Sequence, residues 1–193
     1  MKLKYIPNIL TILRVVLSVA LIFIYPILGL ISFIVYVIAG VTDMIDGPLA
    51  RRIPDGKTKF GTGLDSFADM AMIVVGVFVL LPAMRIEGTI FNVVLVALAF
   101  KILSASLSGF IKHRQVLFVH TTGNKLAAFF LFIAPIIFFF SRSYEFIYYY
   151  MIFIIIWVFV VTIEEALINL TLKKPNTTLK GIWQVRAENR RNL

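Results

Sequence analysis

Cysteine is absent from the 193 residues, which excludes disulfide staples and thiolate metal sites. Charge is scarce as well. Asp, Glu, Lys and Arg make up 15% of the chain and hydrophobic residues 60%, whereas a soluble domain carries roughly 25% charged residues. That shortage excludes an ordinary soluble fold. It predicts one integral membrane domain over residues 1–193, with enough apolar sequence for several spans. No internal repeat stands out, and no low-complexity segment beyond the apolar runs. A cleavable leader is not expected either. Residues 1–7 are short and basic, with Lys2 and Lys4, but the apolar run behind them is long and lacks a small-residue cleavage site. The first span should therefore remain in the protein.

Acidic residues are the scarcer sign, 10 against 19 basic ones, for a net charge of +9. Such a charge suits nucleic acid or an anionic membrane surface. Its distribution, at the ends of apolar runs, favours the membrane, so no nucleic-acid partner is expected. The runs predict six spans, near residues 8–25, 28–49, 61–84, 90–111, 126–140 and 146–170. Pro26 and Gly29 separate the first two, and Pro54-Asp55-Gly56 marks a turn in the polar link over 51–59. Tyr148, Tyr149 and Tyr150 suit an interfacial aromatic belt, and the basic tail from Lys173 onward should lie on the membrane surface. The predicted fold class is all-α: a polytopic membrane protein of six transmembrane helices.

Orientation follows from the lysines and arginines. Placing both termini inside gathers Lys2, Lys4, Arg51, Arg52, Lys57, Lys59, Lys112, Arg114 and six tail residues on one side, fourteen in all, against Arg85 and Arg142 on the other. The positive-inside rule then makes both termini cytoplasmic.

Against this background four aspartates stand out. Asp43 and Asp46 are spaced i, i+3 near the end of the second run, and Asp65 and Asp69 are spaced i, i+4 at the start of the third. On helices each spacing puts two carboxylates on one face. Gly47 and Ala50 continue the first face and Gly61 begins the second, leaving room for close approach to the backbone. Converging carboxylates beside hydrocarbon need cations or protons to neutralise them. Hard divalent cations take oxygen ligands, and magnesium often joins carboxylates to substrate phosphates.

These residues fill a known pattern. Asp43, Asp46, Gly47, Ala50, Arg51, Gly61, Asp65 and Asp69 occupy every fixed position of D-x-x-D-G-x-x-A-R followed by G-x-x-x-D-x-x-x-D. On them the chain resembles the CDP-alcohol phosphotransferases, particularly members like phosphatidylglycerophosphate synthase. Pro7-Asn8-Ile9-Leu10-Thr11-Ile12-Leu13-Arg14 resembles the P-N-x-L-T-x-x-R start common in that family. The resemblance implies transfer of a phosphatidyl group from CDP-diacylglycerol to a small polar alcohol, with release of CMP, in phospholipid biosynthesis. It implies a cytoplasm-facing active-site cavity in a bacterial cell membrane, and a homodimer. Asp43, Asp46, Asp65 and Asp69 would hold two magnesium or manganese ions, with Asp69 also taking the hydroxyl proton. Asn8, Thr11, Gly47, Ala50, Arg51 and Gly61 would meet the CDP donor.

The acceptor is read from basic residues. Lys101, Lys112, Arg114 and Lys125 would favour an anionic alcohol, glycerol 3-phosphate first. Serine or an inositol phosphate is the alternative. The chain has Gly123-Asn124-Lys125-Leu126-Ala127 where glycerophosphate-using relatives often have G-K-x-K-T, and Leu64-Asp65-Ser66 where they have Leu-Asp-Pro. Lys101, inside the fourth span, either contacts substrate or pairs with Glu164 or Glu165. Arg14 is tolerable in the first span only if it is paired, wet or snorkelling to the interface. His113 and His120 are expected to be solvated. A divalent-cation or proton-coupled transporter is the reading from another class. It would use the carboxylates but leaves the register of Gly47, Ala50 and Arg51 without a purpose.

Overall fold

The structure, a computed structural model, describes residues 6–24, 29–52, 68, 71–115, 117–119, 121–176 and 179–191. Among these residues everything regular is helical and no strand occurs. The helices are α1 (Ile6–Ile24), α2 (Gly29–Arg52), α3 (Ala71–Ala83), α4 (Gly88–His113), α5 (Thr122–Ser141), α6 (Tyr144–Thr171) and the short α7 (Val185–Arg191). Helices α4, α5 and α6 are each long and apolar enough to cross a membrane. At 1.5 Å per residue, α4 and α6 run about 40 Å, longer than the ~30 Å hydrocarbon layer. Shorter apolar stretches, Ile9–Ile24, Gly29–Thr42 and Ala71–Ala83, follow the order of the first three expected spans. Among the described residues the protein is all-helical, and its apolar helices are those of an integral membrane protein.

It forms two compact units. The first holds the chain up to Arg85 together with Phe139–Ser141, and the second holds Ile86–Phe138 and everything from Arg142 onward. In the first unit α1 packs along α2. The buried positions of α1 are Thr11, Arg14, Ser18 and Leu21, one helical face that is mostly polar. Among the described side chains of α2 the buried positions are Ser32, Tyr36, Ala39, Gly40 and Thr42. Helix α2 runs on through Gly47 and Pro48 to Arg52, three residues past the end expected for its span. Helix α3 includes a π-helical turn, Gly76–Leu80, which carries the face of Val75 on to Leu80, and it also buries Val77 and Leu81.

In the second unit α4 packs along α6. Helix α5 starts at Thr122, four residues before the apolar run suggests. The Thr121 hydroxyl accepts from the Asn124 backbone N–H at 3.1 Å and so caps the helix early. Gly123, Asn124 and Lys125 thus lie in the first turn of a helix and not in a preceding loop. Helix α6 starts in the same way, with the Ser143 hydroxyl accepting from the Phe146 N–H at 3.3 Å.

Candidate functional site

Asp43, Asp46, Gly47, Ala50 and Arg51 all lie within α2, and Asn8 lies in the first turn of α1. The structure describes the backbone at these positions and not their side chains. Asp43 and Asp46 stand three residues apart in one unbroken helix. Gly61, Asp65 and Asp69 lie outside the described residues, as does His120. Among the described residues no group of three or more His, Asp or Glu gathers to hold a metal. The divalent ion implied by the resemblance needs hard oxygen donors.

Thr11 is buried, on the same face of α1 as Arg14 and Ser18. Arg14 is fully buried, so it does not snorkel to the interface. It lies three residues from Thr11, on the same face of α1. Ser18 donates to the Arg14 carbonyl at 2.8 Å, and Thr42, just before Asp43, donates to the Ala39 carbonyl at 2.7 Å. Both hydroxyls therefore satisfy themselves on their own helices.

The four basic residues expected at the acceptor belong to the second unit. Lys101 is 29% exposed and pairs with Glu165, its Nζ 3.2 Å from Oε2. Its ammonium also donates to Asn124 Oδ1 at 2.6 Å. Glu165 is buried and fully engaged. Oε1 accepts from the Val119 backbone N–H at 2.8 Å, and Oε2 accepts from Asn124 Nδ2 at 3.1 Å as well as from Lys101. Asn124 Nδ2 also donates to the Val119 carbonyl at 2.7 Å. One turn along α6, Asn169 Nδ2 donates to the Leu117 carbonyl at 3.1 Å and to Ser108 Oγ at 3.0 Å. Glu165 and Asn169, spaced i, i+4, therefore fix the link between α4 and α5. Gly109 lets that link lie close against α4, because a Cβ there would stand 2.8 Å from the Gln115 carbonyl oxygen and the Leu117 nitrogen.

Lys125 is exposed, in the first turn of α5 next in sequence to Asn124. Lys112 and Arg114 are also exposed, at the far end of α4. Eleven residues of helix separate Lys101 from Lys112, about 16 Å along the axis. The structure thus sets Lys112 and Arg114 at a distance from Lys101 along α4. His113 is not simply solvated, since its Nε2 lies 3.1 Å from the Asn169 carbonyl oxygen. The sequence reading missed Asn124 and Asn169 as organising residues. The available signal was an amide and a carboxylate four apart in an apolar span, at 165 and 169.

Comparison with known proteins extends the motif to most of the chain. The sequence profile described as CDP-alcohol phosphatidyltransferase matches residues 4–163. A stretch of 80 residues is 40% identical to CDP-diacylglycerol–glycerol-3-phosphate 3-phosphatidyltransferase of Cereibacter sphaeroides, covering 39% of this chain and 36% of that protein. A stretch of 76 residues is 38% identical to "Probable cardiolipin synthase (CMP-forming)" of Drosophila melanogaster, covering 35% of this chain and 21% of that protein. The matched stretches thus span about a third and a fifth of these relatives. No solved structure matches.

Proposed function

The chain belongs to the CDP-alcohol phosphatidyltransferase family, and from that premise we propose that it transfers a phosphatidyl group from CDP-diacylglycerol to glycerol 3-phosphate. The observation that carries the proposal is the complete aspartate, glycine and arginine pattern from Asp43 to Asp69 inside the matched region. The partial identity to a relative named for glycerol 3-phosphate supports that acceptor over serine or an inositol phosphate. In the reaction the acceptor hydroxyl forms a bond to the phosphatidyl phosphorus, the bond to CMP breaks, and the hydroxyl proton leaves.

Each role goes to a residue of this chain. Asp69 takes the hydroxyl proton, the work of a positioned base. Asp43, Asp46, Asp65 and Asp69 provide the oxygen ligands for magnesium or manganese, which when bound neutralises charge on the pyrophosphate. Asn8, Thr11 and Arg51 meet the donor, while Gly47, Ala50 and Gly61 leave space for its cytidine. Lys101 uses two of its three ammonium N–H groups on Glu165 and Asn124. The third is left for the acceptor phosphate, and Lys125, on the first turn of α5, is the second cation assigned to it. Lys112 and Arg114, too far along α4 for the same phosphate, draw the anionic acceptor toward the cytoplasmic mouth. We further propose six spans, both termini cytoplasmic, and a homodimer.

The test is CMP release by the purified protein from CDP-diacylglycerol, with glycerol 3-phosphate, serine and inositol phosphate offered in turn. Release with glycerol 3-phosphate alone is expected. Release only with another alcohol would move the acceptor, and no release with any alcohol would reject the transfer reaction.

A further inference from the structure

We propose that the concavity between the end of α6 and α7 holds the phosphate of an anionic membrane phospholipid. The tail does not trail away from the helices. The Thr122 N–H donates to the Lys180 carbonyl at 2.9 Å, and the Ile182 N–H donates to Glu164 Oε1 at 3.1 Å. Val185 and Leu179 pack with Val119, Ile168 and Leu172 in one buried cluster. Asn189 bridges the two walls, with Oδ1 accepting from the Lys173 N–H at 2.9 Å and Nδ2 donating to the Thr171 carbonyl at 3.0 Å. Between the walls lies a bowl of about 420 Å³.

Its lining has two characters. Ile182 and Val185 give it an apolar part, and Lys173, Arg186 and Arg190 give it three cations. Arg186 and Arg190 are four apart on α7, hence on one face. The tail has one acidic side chain between Lys173 and Arg191, Glu188, which accepts from Asn176 at 2.9 Å and lies 4.0 Å from Arg191. Trp183, next in sequence to the lining residue Ile182, is 66% exposed, and Ile182 is 42% exposed. Helix α6 is longer than the hydrocarbon layer is thick, so its end reaches headgroup depth. Tryptophan favours that depth, and clustered arginine and lysine there attract anionic lipid. The apolar lining decides between a lipid and a free anion, since it offers contact to an acyl chain and nothing to inorganic phosphate.

The site lies outside the transfer machinery, so its test uses no substrate. The full chain is placed in phosphatidylcholine nanodiscs containing either brominated phosphatidylglycerol or, at the same mole fraction, brominated phosphatidylcholine. The Trp183 signal is the fluorescence lost in Trp183→Phe. Phosphatidylglycerol should quench that signal more strongly. The preference should fall about fivefold for each of Arg186→Gln and Arg190→Gln, as expected for one basic residue at an anionic surface, and survive Arg→Lys at both positions. Excess inorganic phosphate should leave it intact. Equal quenching by the two lipids, a preference that outlasts the double Gln variant, or displacement by inorganic phosphate would each overturn the assignment.

Discussion

The two units bury polar groups by different rules. In the first, the buried polar residues of α1 repeat at helical spacing within one short segment, Thr11, Arg14 and Ser18, and the aspartates follow on the neighbouring runs. In the second, the partners are far apart in sequence. Lys101 meets Glu165 across 64 residues, and Ser108 meets Asn169 across 61. The first unit carries its polar residues in a local pattern. The second fixes a shape by joining α4, α6 and the link between them. Loss of an aspartate in the first unit should therefore cost turnover, and loss of Glu165 or Asn169 in the second should cost stability.

The largest effect should come from the aspartates. Asp69→Asn should lower kcat by about 10²-fold or more while keeping most donor binding, since a positioned base contributes that much. Asp43→Asn, Asp46→Asn and Asp65→Asn should instead weaken divalent-metal affinity, because each removes a negative ligand of equal size. Turnover and donor binding for each variant across a magnesium titration separate the two patterns. Near wild-type turnover of Asp69→Asn would remove the base. Activity that persists in chelator would remove the metal site.

Next comes the buried pair. Glu165→Ala should destabilise the protein by about 3–5 kcal/mol, the usual cost of breaking a buried ion pair from one side. It also strands the Val119 N–H and one Asn124 amide bond. Replacing Lys101 and Glu165 together by Met should cost less than the sum of the single changes. Unfolding in detergent micelles measures all three variants. Additive losses would show that the two charges do not stabilise one another. Gly109→Ala tests the same scaffold through packing. Its Cβ would press on the backbone at 115 and 117, so a loss of about 1–3 kcal/mol is expected. A neutral result would mean that the link can shift without consequence.

This division also explains what was legible in the sequence. Helix content, apolar runs and the aspartate pattern are local properties, and periodicity carries them. The choice between substrate and Glu165 for Lys101 depends on which turn of α6 faces which turn of α4, and spacing along one helix holds no such information. The early start of α5 was readable in principle, because Thr121 followed by Asn124 is capping chemistry. The stronger apolar signal from Leu126 onward obscured it. Arg14 was visible as a cost but not as a buried residue, since burial is decided by the partner helix.

The smallest effect concerns a feature the two units share. Arg85, Arg114 and Arg142 each take a left-handed backbone conformation, with φ of 56°, 58° and 48°. Arg114 and Arg142 close α4 and α5, their N–H groups donating to the Phe110 and Phe138 carbonyls. A left-handed residue with a Cβ costs roughly 1–2 kcal/mol, and glycine removes that cost while giving back some entropy in the unfolded chain. Arg142→Gly should therefore stabilise the protein by up to about 1 kcal/mol. Arg114→Gly should gain less. The Arg114 guanidinium lies 6.0 Å from the Phe110 ring centroid, and losing that cation–π contact costs about 0.5–1 kcal/mol at an exposed site. Lysine at either position keeps the backbone strain and should give no gain. Melting of the Gly and Lys variants side by side measures the difference. If Arg142→Gly is no more stable than Arg142→Lys, strain at the end of α5 contributes nothing, and the helix ends there for reasons of sequence alone.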